Sequence, residues 1–95
     1  MKVYVIGHIT IKDIQKWDEY KAQVPNSLEG FNASIVLRGK VFEPLDGKDE
    51  YTDIVVLEFA TQQEAKNWYK SANYQKLIAL RKEAANVVLK IYEAV

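Results

Sequence analysis

The sequence predicts an α+β domain with the element order βαββαβ. Three observations carry this: β-branched, alternating apolar stretches occur four times, helical stretches with apolar residues three or four apart separate them, and turn residues mark the joints. Val3 to Ile11 alternates with Tyr4, Ile6, His8 and Thr10 and reads as the first strand. Asp13 can cap a helix running to about Val24, in which Ile14, Trp17, Tyr20 and Val24 share one face and which Pro25-Asn26 closes. The strand pattern returns from Ala33 to Phe42 and, after Pro44-Leu45-Asp46-Gly47, from Tyr51 to Phe59, as one hairpin with a long turn. Thr61 and Glu64 have capping-box spacing for a helix to about Lys70. Ser71 can cap a further short helical segment carrying Tyr74, Leu77, Ile78 and Arg81, and Asn86 to Glu93 alternates as the last strand.

With right-handed crossovers, that order is the ferredoxin-like split βαβ, a four-stranded antiparallel sheet with both helices on one face. Parity assigns the faces. Val3, Val5, Gly7, Ile9 and Ile11 point to the helices, matched by Ile35, Leu37 and Gly39, by Val55, Leu57 and Phe59, and by Val87, Leu89 and Ile91. The other face carries Ile6, His8, Val36, Arg38, Phe42, Ile54, Val56, Glu58 and Val88, an apolar patch that a soluble monomer rarely leaves in water. A second copy, packed sheet against sheet about a twofold axis, is the most economical cover, so a homodimer through the open sheet face is expected.

Composition bounds the function. The 95 residues make a single domain over residues 1–95, with 13 basic and 13 acidic side chains, one histidine and no cysteine. A net charge of zero leaves no electrostatic footprint for nucleic acid or an anionic membrane. Missing cysteine excludes disulfides, thiolate zinc sites and thiol chemistry, and no apolar run reaches the roughly 18 residues of a spanning helix. The opening residues read as a strand rather than a leader, so a cytoplasmic protein is expected.

Asp13 with Tyr20, Arg38-Gly39, Glu58-Phe59, and then Ala65, Trp68-Tyr69, Ser71, Tyr74 and Arg81, resemble a domain-of-unknown-function family numbered 1330, within the dimeric α/β-barrel superfamily. The resemblance covers essentially the whole chain. It implies a ferredoxin-like fold that dimerises into an α/β barrel, in agreement with the face argument, and it implies no established activity. Superfamily relatives include cofactor-independent monooxygenases, isomerase-like enzymes and haem-dependent peroxidases. By resemblance, Ser71, Tyr74 and Arg81 belong to a segment bordering the barrel mouth, which makes Tyr74 and Arg81 candidate ligand-binding rim residues alongside Trp68. Aromatic residues at helical spacing equally suit a core.

His8 is the one side chain with an ordinary pKa near neutrality and a candidate base on the open face, with Thr10 and Asn86 as its expected neighbours. Its structural alternative is a hydrogen-bonded histidine at a sheet interface. Arg38 and Glu58 form the second candidate: with the hairpin turn near Asp46 to Lys48, Arg38 falls opposite Val56 and diagonal to Glu58, so an ion pair on the open face is expected. That pair is either structural or a means of receiving a substrate carboxylate or enolate. One histidine without thiolates makes no metal site, and neither metal nor cofactor is expected; His8 alone would have to serve a haem. The sequence thus points to a small dimeric barrel binding a small molecule, between sheet and helices or between subunits. The alternative is a cofactor-independent enzyme, monooxygenase- or isomerase-like, using His8 and Arg38.

Overall fold

The computed structural model describes residues 2–95. The elements are β1 (Val3–Ile11), α1 (Ile14–Ser27), β2 (Ala33–Lys40), β3 (Asp53–Phe59), α2 (Gln62–Lys70), α3 (Ala72–Gln75), α4 (Ile78–Ala84) and β4 (Ala85–Glu93). The strands form one sheet of order β2-β3-β1-β4, every neighbouring pair antiparallel. This is the expected ferredoxin-like α+β arrangement.

Local chemistry sets the boundaries. Asp13, in extended backbone, accepts from the Lys16 N–H at 3.1 Å and starts α1. The helix then runs through Pro25 to Ser27 rather than closing before it. A proline forfeits its own N–H bond, but here it falls in the last turn, and the Ser27 hydroxyl donates to the Val24 carbonyl at 2.6 Å. Thr61 accepts from the Glu64 N–H at 3.1 Å, as a cap should. The Glu64 carboxylate, however, reaches out to the Asn32 N–H at 2.5 Å instead of back to its own helix, so only half of a capping box forms. Ser71 ends α2 and starts α3, and the region read as one short helix is two, α3 and α4.

The core lies between the sheet and the helices. Val3, Val5, Ile9, Val55, Leu57 and Phe59 meet Trp17, Tyr20, Val24, Trp68, Tyr74 and Leu77, all buried. Gly7, at the centre of β1, faces Val55 and Leu89, its ladder neighbours. A Cβ there would stand 2.9 Å from one Val55 methyl and 3.1 Å from Leu89, so this position admits no side chain without movement.

One strand departs from the expected faces. The β2 to β3 ladder shifts between Ile35 and Leu37: Ile35 pairs with Leu57, but Leu37 pairs with Val56 and Arg38 with Val55. Val36 is the extra residue of a β-bulge, and from there onward every side chain of β2 changes face. Leu37 and Gly39, expected toward the helices, turn to the open face, where a Cβ on Gly39 would meet Ile54 at 3.4 Å and Leu37 at 3.7 Å. Arg38, expected on the open face, turns under the helices. The strands are also shorter than expected on both sides of the hairpin, and residues 41–52 form a largely exposed connection in which Phe42 and Leu45 are 98% and 95% exposed.

Candidate functional site

The helix side of the sheet gathers the polar groups that the sequence scattered. Tyr20 from α1 and Tyr74 from α3 place their hydroxyls 2.8 Å apart, and Arg81 from α4 donates from Nη1 to the Tyr74 hydroxyl at 2.8 Å. One guanidinium N–H and two hydroxyl protons share two bonds, so one hydroxyl proton of the pair is a spare donor. Burial, then the nearby Tyr74 hydroxyl, pushes the Tyr20 phenol far above its ordinary value, so Tyr20 stays neutral at any physiological pH.

Arg38 approaches the same region from the sheet. Its guanidinium lies 5.9 Å from the centre of the Trp17 ring, a cation–π contact, and burial pulls its pKa below the ordinary value while Tyr20 and Tyr74 oppose that pull. The ion pairs among the described residues are Lys2 with Glu58, Lys16 with Glu83, and Lys21 with Asp18. Neither half-buried arginine appears in them.

A cleft of about 390 Å³ opens beside this cluster, between α2 and the β4 edge of the sheet. Its floor is Val5, Val87, Leu89 and Ile91, and its wall is Ala65, Trp68 and Tyr69. Trp68 is fixed on three sides: Nε1 donates to the Ser27 hydroxyl at 3.0 Å, and its ring lies 4.2 Å from Tyr74 and 5.5 Å from Phe59. Lys66, Lys70 and Arg81 border the space. A smaller cleft of about 220 Å³ lies at the opposite end, against Trp17, Lys21 and Arg38.

Several sequence-based assignments change. The Arg38–Glu58 pair does not form, because the bulge at Val36 puts the two residues on opposite faces; Glu58 instead pairs with Lys2 at 3.2 Å. Tyr74 is no rim residue of the subunit: it is 0% exposed and bonded at its hydroxyl to both Tyr20 and Arg81. Its α3 turn, capped by Ser71, drives the ring inward. Trp68 and Arg81 do border the cleft. His8 stays on the open face between Ile54 and Val88, with the Tyr51 ring 5.7 Å away. The Thr10 hydroxyl, expected beside His8, donates to the Glu50 carbonyl at 2.8 Å. Among the described residues no group of three His, Cys, Asp or Glu side chains comes together.

The family profile for a domain of unknown function, DUF1330, matches residues 2–95. The chain belongs to the DUF1330 family. No curated protein matches the sequence. The DUF1330 chain is similar in fold to a protein of unknown function from Rhodopseudomonas palustris, at 10% identity and a TM-score of 0.84 over 99% of this chain and 82% of that one. A dimeric ferredoxin-like protein of unknown function from Jannaschia matches at 9% identity and 0.76, over 99% and 100% of the two chains. A cofactor-independent oxygenase from Streptomyces nogalater matches at 6% identity and 0.73, over 99% and 93%. At such identities the likeness is one of fold.

Sequence reading placed Tyr20 in the core and missed its hydroxyl as part of a cluster. Part of the signal was present: a tyrosine at a core position of α1 must find a polar partner for its hydroxyl, but the many polar residues of the second helical region left that partner unspecified.

Proposed function

We propose that this DUF1330 protein binds a small organic molecule in the cleft between α2 and β4, and that it does so as a homodimer joined through the open sheet faces. The observation that carries the reading is the cleft itself: about 390 Å³, floored by aliphatic and walled by aromatic side chains, with cationic groups at its border. Small-molecule sites typically have this volume and this mixture of an apolar body with a few polar groups. The arginine and tyrosine cluster alongside is held by its own bonds before any ligand arrives, which lowers the cost of ordering the site on binding.

Catalysis by His8 and Arg38 together loses its geometry within a subunit, because the two side chains lie on opposite faces of the sheet. The dimer reading rests on the open face, where Ile6, Ile54 and Val56 are joined by Leu37, 47% exposed, and Val88, 37% exposed. Two solved neighbours, from Jannaschia and from Bacteroides fragilis, are described as dimeric.

The binding reading is tested by thermal shift against a panel of aromatic and aliphatic metabolite-sized compounds, run in parallel on the wild type and on Leu89→Trp, which fills the cleft floor. Compounds that raise the melting temperature of the wild type and not of Leu89→Trp are expected. A panel in which every stabilising compound acts equally on both proteins would place the site elsewhere.

A further inference from the structure

We infer that the α2–β4 cleft takes an amphipathic organic anion: a carboxylate carried on an aromatic or branched aliphatic body. The inference rests on the binding reading above and adds the charge and class of the ligand. Its basis is a local imbalance in a chain that is neutral as a whole. The sequence holds 13 cationic and 13 anionic side chains, yet the charged residues bordering this cleft are Lys66, Lys70, Arg81 and Lys90, with no acidic residue among them. Lys90 pairs in the ladder with Ile6 and joins at the strand edge, so Lys66, Lys70 and Arg81 carry the argument.

None of those three has a carboxylate partner among the described residues. The acids within reach of the same elements are occupied elsewhere. Glu64 of α2 accepts from the Asn32 N–H, and Glu93 at the end of β4 accepts from the Gln62 amide. Arg81 spends Nη1 on the Tyr74 hydroxyl, a neutral acceptor that leaves its charge uncompensated. Lys66 and Lys70 stand four residues apart on α2, and so on one helix face, where like charges repel; the C-terminal end of the helix favours Lys70, but no carboxylate among the described residues pairs with either. An anion in the cleft would.

The floor excludes a bare inorganic anion as the natural occupant. Val5 is buried, Val87 and Leu89 are half-buried, and Ile91 is 41% exposed at the β4 edge, while the Tyr69 ring is 39% exposed over them. That apolar surface is matched by a ring or branched chain, and a space of about 390 Å³ holds one such body with a carboxylate directed to the cationic border.

The test uses isothermal titration calorimetry with 2-naphthoate and its neutral isostere 2-naphthamide, on the wild type and on the double variant Lys66→Gln/Lys70→Gln. Both lysines are exposed, and the variant's melting temperature checks that it folds. Naphthoate is expected to bind about tenfold more tightly than the amide, to weaken with added salt, and to fall toward the amide's affinity in the double variant, which leaves amide binding unchanged. Equal affinity for acid and amide, or an unaltered naphthoate affinity in the folded double variant, overturns the anionic class. If equal affinity is accompanied by loss of both ligands in Leu89→Trp, the cleft remains a binding site and only its charge preference is wrong. If neither compound binds at millimolar concentration, the anion inference fails and the cleft reading fails with it for aromatic bodies.

Discussion

Tyr74 is where the helical half of the molecule is tied together. Its hydroxyl meets Tyr20 of α1 and Arg81 of α4, and its ring packs against Trp68 of α2, so one side chain touches three helices. Tyr74→Phe keeps the ring and removes the oxygen, stranding an Arg81 N–H and the Tyr20 hydroxyl. A loss of about 1–3 kcal/mol in urea unfolding is expected. The Tyr20 phenol gives a pH signature. Its folded pKa is raised above the unfolded value of about 10, so the unfolded chain gives up this proton first. The associated stability is fully present below that value and is lost as pH climbs from there toward the folded pKa. Tyr20→Phe should flatten this alkaline decline, measured as unfolding free energy against pH. At Gly7, a methyl group would meet Val55 at 2.9 Å, and Gly7→Ala should cost about 1–3 kcal/mol by overpacking.

Among the elements, the two short joints matter most. Ser71 closes α2 through its N–H to the Trp68 carbonyl at 3.1 Å and opens α3 by accepting from the Tyr74 N–H at 3.2 Å. Ser71→Ala keeps that N–H but loses the hydroxyl, which donates to the Trp68 carbonyl at 2.6 Å and accepts from the Tyr74 N–H, so it loosens both aromatic residues, with an expected cost of about 1 kcal/mol in chemical denaturation. The bulge in β2 has the larger consequence. The strand and its partner follow from the β-branched residues of β2, but the inserted Val36 exchanges Arg38 for Leu37 across the sheet. No glycine precedes the shift, and because Ile35, Val36 and Leu37 are apolar in succession, parity alone does not fix which of them faces the helices. The exchange is favoured in three dimensions because it brings Arg38 over the Trp17 ring and adds Leu37 to the open apolar face.

At the scale of the whole chain, the molecule is a slab of two layers, with Cα extents of 34 × 33 × 16 Å. It exposes 6364 Å², against about 5,600 Å² for a compact monomer of its mass. The excess agrees with a sheet face that has no third layer. Val56 lies at the middle of that face, between Ile6 and Leu37 in the ladder. Val56→Asp puts a charge where the dimer reading places the partner's sheet. It should yield a folded monomer by light scattering where the wild type elutes as a dimer, and a dimer persisting in a folded Val56→Asp would rule out sheet-to-sheet packing.

The residues by themselves determined the element order, the antiparallel sheet, the apolar character of both its faces and the caps at Asp13, Thr61 and Ser71, because periodicity and capping are local properties of the chain. They also singled out Trp68 and Arg81, which border the α2–β4 cleft, without their arrangement. Tertiary structure alone decided that Arg38 and Glu58 part company, that Tyr74 is bonded in the core, and that Lys66, Lys70 and Arg81 border one cleft. The reason is the same in each case. A single inserted residue reverses the facing of half a strand, and a helix's rotation against the sheet selects which polar groups meet; both are settled by packing energies summed over distant residues, which no local pattern encodes.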